Sequence, residues 1–156
     1  MTTLFAQFQI GPDWYVLRAS LIARVLPLVS IKFIPGAPAG VAGVLLYGST
    51  PVPVVDLSWL ALGRPATRLM STRIILVTPF EQEQGGRLLG MIAEKMTNTI
   101  ELDEGSFIPS GVRAQGAAYV GPLITVGDKL VQRVDVQSLL PPAVFEALCT
   151  DLEVGG

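Results

Sequence analysis

Apolar and polar residues alternate in short runs along most of the chain, which is the pattern of half-buried strands. The run Leu4–Ile10 ends at the turn residues Gly11-Pro12-Asp13, and Trp14–Leu17 resumes the pattern, which predicts a hairpin. Runs over 119–126 and 129–136 flank Gly127-Asp128, a second hairpin signal. Many short strands with few helices predict small β-barrels or a β-sandwich.

Helical spacing is clearest near the C-terminus. Pro142 suits the first turn of a helix, and the apolar residues that follow it recur at helical spacing: Val144, Phe145, Leu148, Cys149 and Leu152. This pattern predicts a short amphipathic helix over 142–152. A single helical turn is also predicted at Ser58–Leu62, closed by Gly63. The predicted fold class is therefore all-β with a short C-terminal helix.

The most distinctive stretch is Gly43–Leu57, which is apolar, broken by prolines and closed by one acid, Asp56. Such a stretch is typical of a surface that contacts a partner. The chain from Lys32 to Asp56 has no charge between its ends, yet it contains Pro35, Pro38, Pro51 and Pro53. Because each proline costs a helix roughly 3 kcal/mol, we do not expect a transmembrane helix or direct membrane insertion here.

The amino-acid composition limits the kinds of partner and the cellular compartment that we expect for this protein. Half of the 156 residues are hydrophobic and only 15% are charged, so apolar surface is left over for partner contacts. The net charge is −2 and the eleven basic residues are scattered, which argues against nucleic acid as a partner. One cysteine allows no internal disulfide, and the N-terminus lacks the pattern of a signal peptide, so we expect a cytoplasmic protein.

The chain contains no histidine, which removes the usual activated nucleophiles, general bases and metal ligands. We expect no catalytic residue, no metal and no cofactor. Asp56 is predicted to cap the turn that follows it. The alternative is a carboxylate-based enzyme that uses Asp56 with a neighbouring acid from the other lobe of the chain. Glu94 and Lys95 are predicted to be a solvent-facing pair.

The aromatic residues leave a third functional class open, a module that binds peptides or small ligands. Tyr47 lies between glycines, where it could anchor an interface or pack beneath its own loop. An aromatic-lined groove around Trp14, Tyr47 or Trp59 would instead indicate an SH3-like module that binds peptides or small ligands.

The order of motifs resembles the CheW-like coupling family of bacterial chemosensory arrays from about Leu4 to Leu140. The residues that carry the resemblance are Phe8-Gln-Ile-Gly11, Trp14-Tyr-Val16, Leu21–Val25, Ile34-Pro-Gly-Ala-Pro38, Val41-Ala-Gly43, Pro53–Leu57, Arg73–Val77, Leu89–Glu94, Gly121 and Leu139-Leu140. No one piece is diagnostic, but the ordered set is fairly specific.

The resemblance implies two five-stranded SH3-like β-barrels that share a hydrophobic core, in a single CheW-like domain over 4–141. It implies a first lobe over about 14–65 and a second lobe formed by about 4–11 and 72–138. The first strand would pair into the second barrel. Residues 63–71 are predicted to connect the two lobes.

The implied function is a non-catalytic scaffold that couples the cytoplasmic tip of a methyl-accepting chemoreceptor to the regulatory domain of a CheA-type histidine kinase. Other CheW-like domains are a further implied partner. Ile22, Arg24 and Val25 fall where family members contact receptors. Pro51, within the predicted patch Leu46–Pro51, falls where they contact the kinase or a neighbouring coupling domain.

Two departures from the family pattern affect these partner contacts. Many members carry Asn-Leu-Arg-Gly where this chain has Leu46-Tyr47-Gly48-Ser49, so the Asn and the Arg are both absent. Arg24 stands where an acid is common, and a reversed charge suits a different partner surface. The chain is in this respect similar to specialised coupling proteins of Wsp-type surface-sensing systems.

Overall fold

A computed structural model describes residues 1–79, 87–111 and 119–140. The predicted helix over 142–152 and the polar loop predicted over 81–87, apart from Arg87, lie outside these residues. Within them the chain forms nine strands and one α-helix: β1 (Thr2–Ile10), β2 (Asp13–Arg18), β3 (Ile22–Pro27), β4 (Val41–Tyr47), β5 (Thr50–Asp56), α1 (Leu57–Leu62), β6 (Arg73–Val77), β7 (Leu89–Asp103), β8 (Val120–Val126) and β9 (Lys129–Val134).

The long strand β7 belongs to two barrels. Residues 89–93 pair antiparallel with β6 and, over 90–92, parallel with β5, whereas residues 94–103 pair with β1. The register shifts at this switch, and Lys95 adopts a positive φ of 49° there. The first barrel therefore consists of β3, β4, β5, β6 and residues 89–93. The second barrel consists of β1, β2, β8, β9 and residues 94–103.

Each barrel is closed by one short bridge between backbone groups. In the first barrel, the chain beyond β3 returns to β4, where Lys32 and Val44 exchange hydrogen bonds of 2.7 and 2.9 Å. In the second barrel, the chain beyond β7 returns to β8, where Ile108 and Leu123 exchange two bonds of 2.7 Å. The predicted pair of five-stranded, SH3-like barrels is confirmed.

Three groups of buried side chains form the core. One fills the first barrel, including Val54 and Ile74, and one fills the second, including Phe5 and Val16. The largest group lies between the barrels and draws side chains from both. Strands such as β5 are buried on both faces, because one face lines a barrel and the other lies against this shared core. Their sequences are accordingly continuous apolar runs.

Strand pairing divides the chain differently from the lobe boundaries implied by the sequence. β2 pairs with β1 and β9 and so belongs to the second barrel, although residues 14–18 were assigned to the first lobe. β6 pairs with β3 and so belongs to the first barrel, although residues 73–77 were assigned to the second. Residues 63–72 therefore join two elements of the first barrel. Sequence order alone cannot reveal which distant strand completes a ladder.

Candidate partner-binding site

The first predicted patch lies on β3, where a bulge changes the side-chain direction. Ile22 pairs with Val77 and Arg24 with Leu76, so one extra residue is inserted between them. A bulge breaks the alternation of a strand. Ile22 is half-buried against the shared core, whereas Arg24 is exposed and Val25 is 41% exposed. Together with Ala23, this makes three successive exposed residues at the bulge.

The second predicted patch lies on the hairpin formed by β4 and β5. Tyr47 pairs with Thr50 across a two-residue turn, and Gly48 adopts a φ of +64°, a left-handed conformation that favours glycine. Leu46 is 69% exposed and lies directly opposite Pro51, which is half-buried. Side chains opposite each other across an antiparallel pair share one face, so these two form an apolar pair.

One hydrogen bond joins the two patches. Arg24 Nη1 donates to the Tyr47 hydroxyl oxygen at 3.0 Å, across an exposed part of the first barrel. This bond raises the pKa of the Arg24 guanidinium above its already high usual value. Within the described sheet, β3 and β4 are not paired as neighbouring strands, so a side-chain contact is what connects them here. We call Ile22, Arg24, Val25 and Leu46–Pro51 together the hairpin edge.

The structure adds two exposed apolar side chains that the sequence analysis did not select. Val29 and Phe33 lie in the chain between β3 and β4 and are 40% and 66% exposed. The Lys32–Val44 bridge brings this segment alongside β4. Apolar and polar residues alternate over 30–34 in the sequence, but this pattern does not show which side chains the fold exposes, and in the structure only Lys32 of this run forms a β-bridge.

Asp56 caps α1, as predicted. Its Oδ1 accepts hydrogen bonds from the backbone N–H groups of Ser58 at 3.0 Å and Trp59 at 3.3 Å. Its Oδ2 accepts a third, at 3.0 Å, from the N–H of Ala66. The side chain is only 7% exposed. Because both oxygens are bound to backbone groups, the carboxylate has a structural role in holding α1 and the following loop.

The prediction for Glu94 was wrong. Glu94 is 6% exposed, and its Oε1 accepts hydrogen bonds from the Ser58 hydroxyl at 2.9 Å and the Thr67 N–H at 3.3 Å. The period-two pattern could not show that β7 passes beneath the loop after α1. Glu94 therefore supports the same loop as Asp56, and a cavity of about 140 Å³ between Arg18 and residues 133–137 is lined by neither acid. This arrangement does not favour the carboxylate-based enzyme.

Other ligand chemistry is not favoured either. In the described part of the chain, no group of three or more metal-ligating side chains comes together. Trp14 lies in the second barrel beneath the Lys129 ammonium, whereas Tyr47 and Trp59 lie at opposite ends of β5. A strand of that length separates them by roughly 20 Å. The three aromatics do not share one groove.

Comparison with known proteins agrees with this geometry. The CheW-like domain family matches residues 5–143. The chain belongs to the CheW-like family. Members of this family are non-catalytic scaffolds, so the chain is a scaffold of chemotaxis signalling and not an enzyme. Among the residues described, no helix is long and apolar enough to cross a membrane.

A solved structure shows the same fold. The scaffolding protein TtCheW from Thermoanaerobacter tengcongensis matches with a TM-score of 0.78 and 24% sequence identity, over 90% of this chain and 89% of that one. No curated protein sequence gives a significant match. At this level of identity the likeness concerns the fold, and the roles of individual residues have to be argued from this chain.

Proposed function

We propose that this scaffold couples the cytoplasmic tip of a chemoreceptor to the regulatory domain of a CheA-type histidine kinase, in the cytoplasm. The receptor would contact the β3 part of the hairpin edge, at Ile22, Arg24 and Val25. The kinase, or another CheW-like domain, would contact the β4–β5 part, from Leu46 to Pro51. Regulation would then depend on how the partners are held relative to each other.

The observation that carries this proposal is the hydrogen bond between Arg24 and Tyr47. It ties the two parts of the hairpin edge together on one barrel, so partners bound to each would be held as neighbours. The edge exposes apolar side chains beside one cation, as protein interfaces commonly do. Aromatic and arginine side chains are also the most frequent binding hot spots.

The chemistry of the edge favours a specialised partner. Arg24 presents a positive charge where many family members are acidic, and Gly48 supplies no side chain where many carry an arginine. A matching receptor would place an acidic side chain opposite Arg24, since opposed charges of like sign would cost affinity. This supports a dedicated coupling protein, such as one of a Wsp-type pathway, over the general adaptor.

The test measures binding of purified receptor tip and purified kinase from the same cell to separate variants. Val25→Glu should weaken receptor binding by about thirtyfold, equal to about 2 kcal/mol, by placing a charge in an apolar contact. Ile22→Glu should abolish receptor binding, but its half-buried side chain makes Val25 the cleaner position. The double variant Tyr47→Ala, Pro51→Asp should lose the kinase and keep the receptor.

Leu69→Glu is the matched control, because Leu69 is 44% exposed and lies in the loop after α1, away from the hairpin edge. It should bind both partners as the unmodified chain does. Unchanged receptor binding by Val25→Glu would overturn the receptor assignment. Unchanged kinase binding by the double variant would overturn the kinase assignment, and a chain that binds neither partner would overturn the coupling function.

A further inference from the structure

Tyr47 is the fixed end of the hydrogen bond that it forms with Arg24. Its ring is partly buried and packs against the core of the first barrel, and its backbone pairs with Thr50 across the turn of the β4–β5 hairpin. A tyrosine side chain has only two rotatable χ angles, so packing the ring leaves it little freedom. The barrel core and the hairpin therefore hold the hydroxyl oxygen at a set position on the hairpin edge.

Arg24 is oriented by a neutral group. It is exposed beside the β3 bulge, and its Nη1 lies 3.0 Å from the Tyr47 hydroxyl oxygen. Among the residues that the structure describes, no carboxylate lies within 4.0 Å of the Arg24 guanidinium. The hydroxyl therefore orients the cation without cancelling its charge, and the charge is left for a group outside this chain.

Both side chains keep further hydrogen-bonding capacity while the bond is formed. A guanidinium carries five N–H donors in a rigid fork, and the bond to Tyr47 uses only one of them. A carboxylate can bind two of the remaining donors, and the Tyr47 O–H can donate to an acceptor on a second molecule. One bond thus prepares two neighbouring groups, Arg24 in the β3 part of the hairpin edge and Tyr47 in the β4–β5 part.

In the free chain we expect the bond to be formed for only part of the time. Water competes for an exposed hydrogen bond, and ordering a long arginine side chain costs about as much free energy as one such bond gains. The hairpin edge therefore has two states, one with Arg24 held by Tyr47 and one with Arg24 free in solvent. A partner that binds the first state loses affinity in proportion to the time spent in the second.

We propose that the Arg24–Tyr47 bond couples the two binding events of the hairpin edge, so that a receptor bound at Arg24 strengthens kinase binding at Tyr47. This inference rests on the proposed function and adds a means of regulating it. The receptor carboxylate selects the state in which Arg24 is held, because a fixed fork loses less freedom on binding. The kinase then meets a Tyr47 hydroxyl that is already oriented. The effect is reciprocal, since a coupling free energy between two sites acts equally on both affinities.

The test compares the affinity of the kinase with and without the receptor. Isothermal titration calorimetry gives the Kd of the purified kinase regulatory domain for the full chain, alone and with saturating receptor tip. We expect the receptor to lower this Kd about threefold, which corresponds to a bond formed for about one third of the time in the free chain. Receptor affinity measured with saturating kinase should change by the same factor.

Tyr47→Phe tests the bond itself, because it keeps the ring on the barrel core and removes only the hydroxyl. The ratio of the two Kd values is taken within each variant, so a change in kinase affinity alone does not alter it. Direct contacts between receptor and kinase would raise the ratio in both chains alike. The ratio in Tyr47→Phe should therefore be about threefold smaller than in the unmodified chain.

Pro51→Ala is the matched control, since it reduces an apolar contact in the same part of the hairpin edge and keeps both members of the bond. It should show the ratio of the unmodified chain, and a ratio as small as that of Tyr47→Phe would contradict the role of the hydroxyl. Equal ratios in the unmodified chain and Tyr47→Phe would overturn this inference, whereas the proposed function would stand if both partners bind. Failure of either partner to bind the unmodified chain would overturn both.

Discussion

The two barrels share one hairpin arrangement, but residues at equivalent positions differ in burial and in their hydrogen bonds. Gly48 and Gly127 both start the hairpin turns with a φ of +64°. Asp56 ends β5 and Asp135 directly follows β9, and each donates its N–H to the carbonyl of the residue just before the first strand of its hairpin, Gly40 or Tyr119. The equivalent pairs are separated by the same number of residues. The plan therefore repeats along the chain, although the sequences of the two halves are not alike.

The difference lies at the ends of the hairpins. Asp56 is buried and binds three N–H groups, whereas Asp135 is exposed and makes no capping hydrogen bond to the short 3-10 turn that follows it. At the other end, the first hairpin exposes Leu46 opposite Pro51, and the second exposes Thr125 opposite Leu130. The first barrel has the better-anchored helix and the more apolar tip, which suits it to hold a partner.

Replacing the two equivalent acids, Asp56 and Asp135, should give the largest difference in stability between substitutions in the two barrels. Asp56→Ala leaves three N–H groups without their acceptor, two of them in buried surroundings, and should lower the free energy of unfolding by about 4 kcal/mol. Asp135→Ala should cost about 0.5 kcal/mol, as expected of an exposed side chain. Urea denaturation followed by circular dichroism measures both. Similar losses in the two variants would show that the cap is not what distinguishes the barrels.

Disrupting the Lys32–Val44 bridge that closes the first barrel should give the next largest loss of stability. Gly43 adopts a φ of +147°, and a Cβ there would collide with the Lys32 carbonyl oxygen. Gly43→Ala should therefore cost about 3 kcal/mol through backbone strain and the loss of the bridge. Gly36→Ala is a control with a positive φ and open space, and should cost about 1 kcal/mol. Equal thermal unfolding midpoints of the two variants would contradict the close approach.

Substitutions in the two hairpin turns should lower the free energy of unfolding by equal amounts. This tests the similarity of the two barrels, whereas the preceding predictions test their difference. Gly48 and Gly127 have the same φ, and a Cβ at either position would meet nothing nearby. Gly48→Ala and Gly127→Ala should each cost about 1 kcal/mol, since only the left-handed conformation is penalised. Thermal unfolding of the two variants side by side measures this. A difference above about 1 kcal/mol would mean that the hairpins are not equivalent in the folded protein.

Much of the fold could be predicted because local patterns carry it. The turn at Gly127-Asp128 and the cap at Asp56 depend on residues close in sequence, and both were predicted. The burial of Glu94 could not be predicted, because its hydrogen-bond partners Ser58, in α1, and Thr67, in the loop after it, lie far from it along the chain. Which barrel β2 and β6 belong to likewise depends on pairing with strands distant in sequence.

The candidate site shows the same limit. The apolar, proline-broken stretch around Leu46–Pro51 suggested one candidate surface from its sequence, and the family resemblance suggested the other on β3. Neither pattern could show that Arg24 and Tyr47 meet, since a hydrogen bond between side chains 23 residues apart depends on how the barrel closes. Phe33 was not selected, because the sequence pattern does not show which side chains of this segment the fold leaves exposed.

The sequence by itself determined several strands, the turns, the cap at Asp56 and the absence of histidine chemistry, because each depends on residue type and short-range spacing. The resemblance of its ordered motifs indicated the CheW-like family. Only the tertiary structure decided which strands share a barrel, which acids are buried and which exposed side chains become neighbours. Those properties depend on contacts between distant residues, and such contacts form only when the two barrels pack around their shared core.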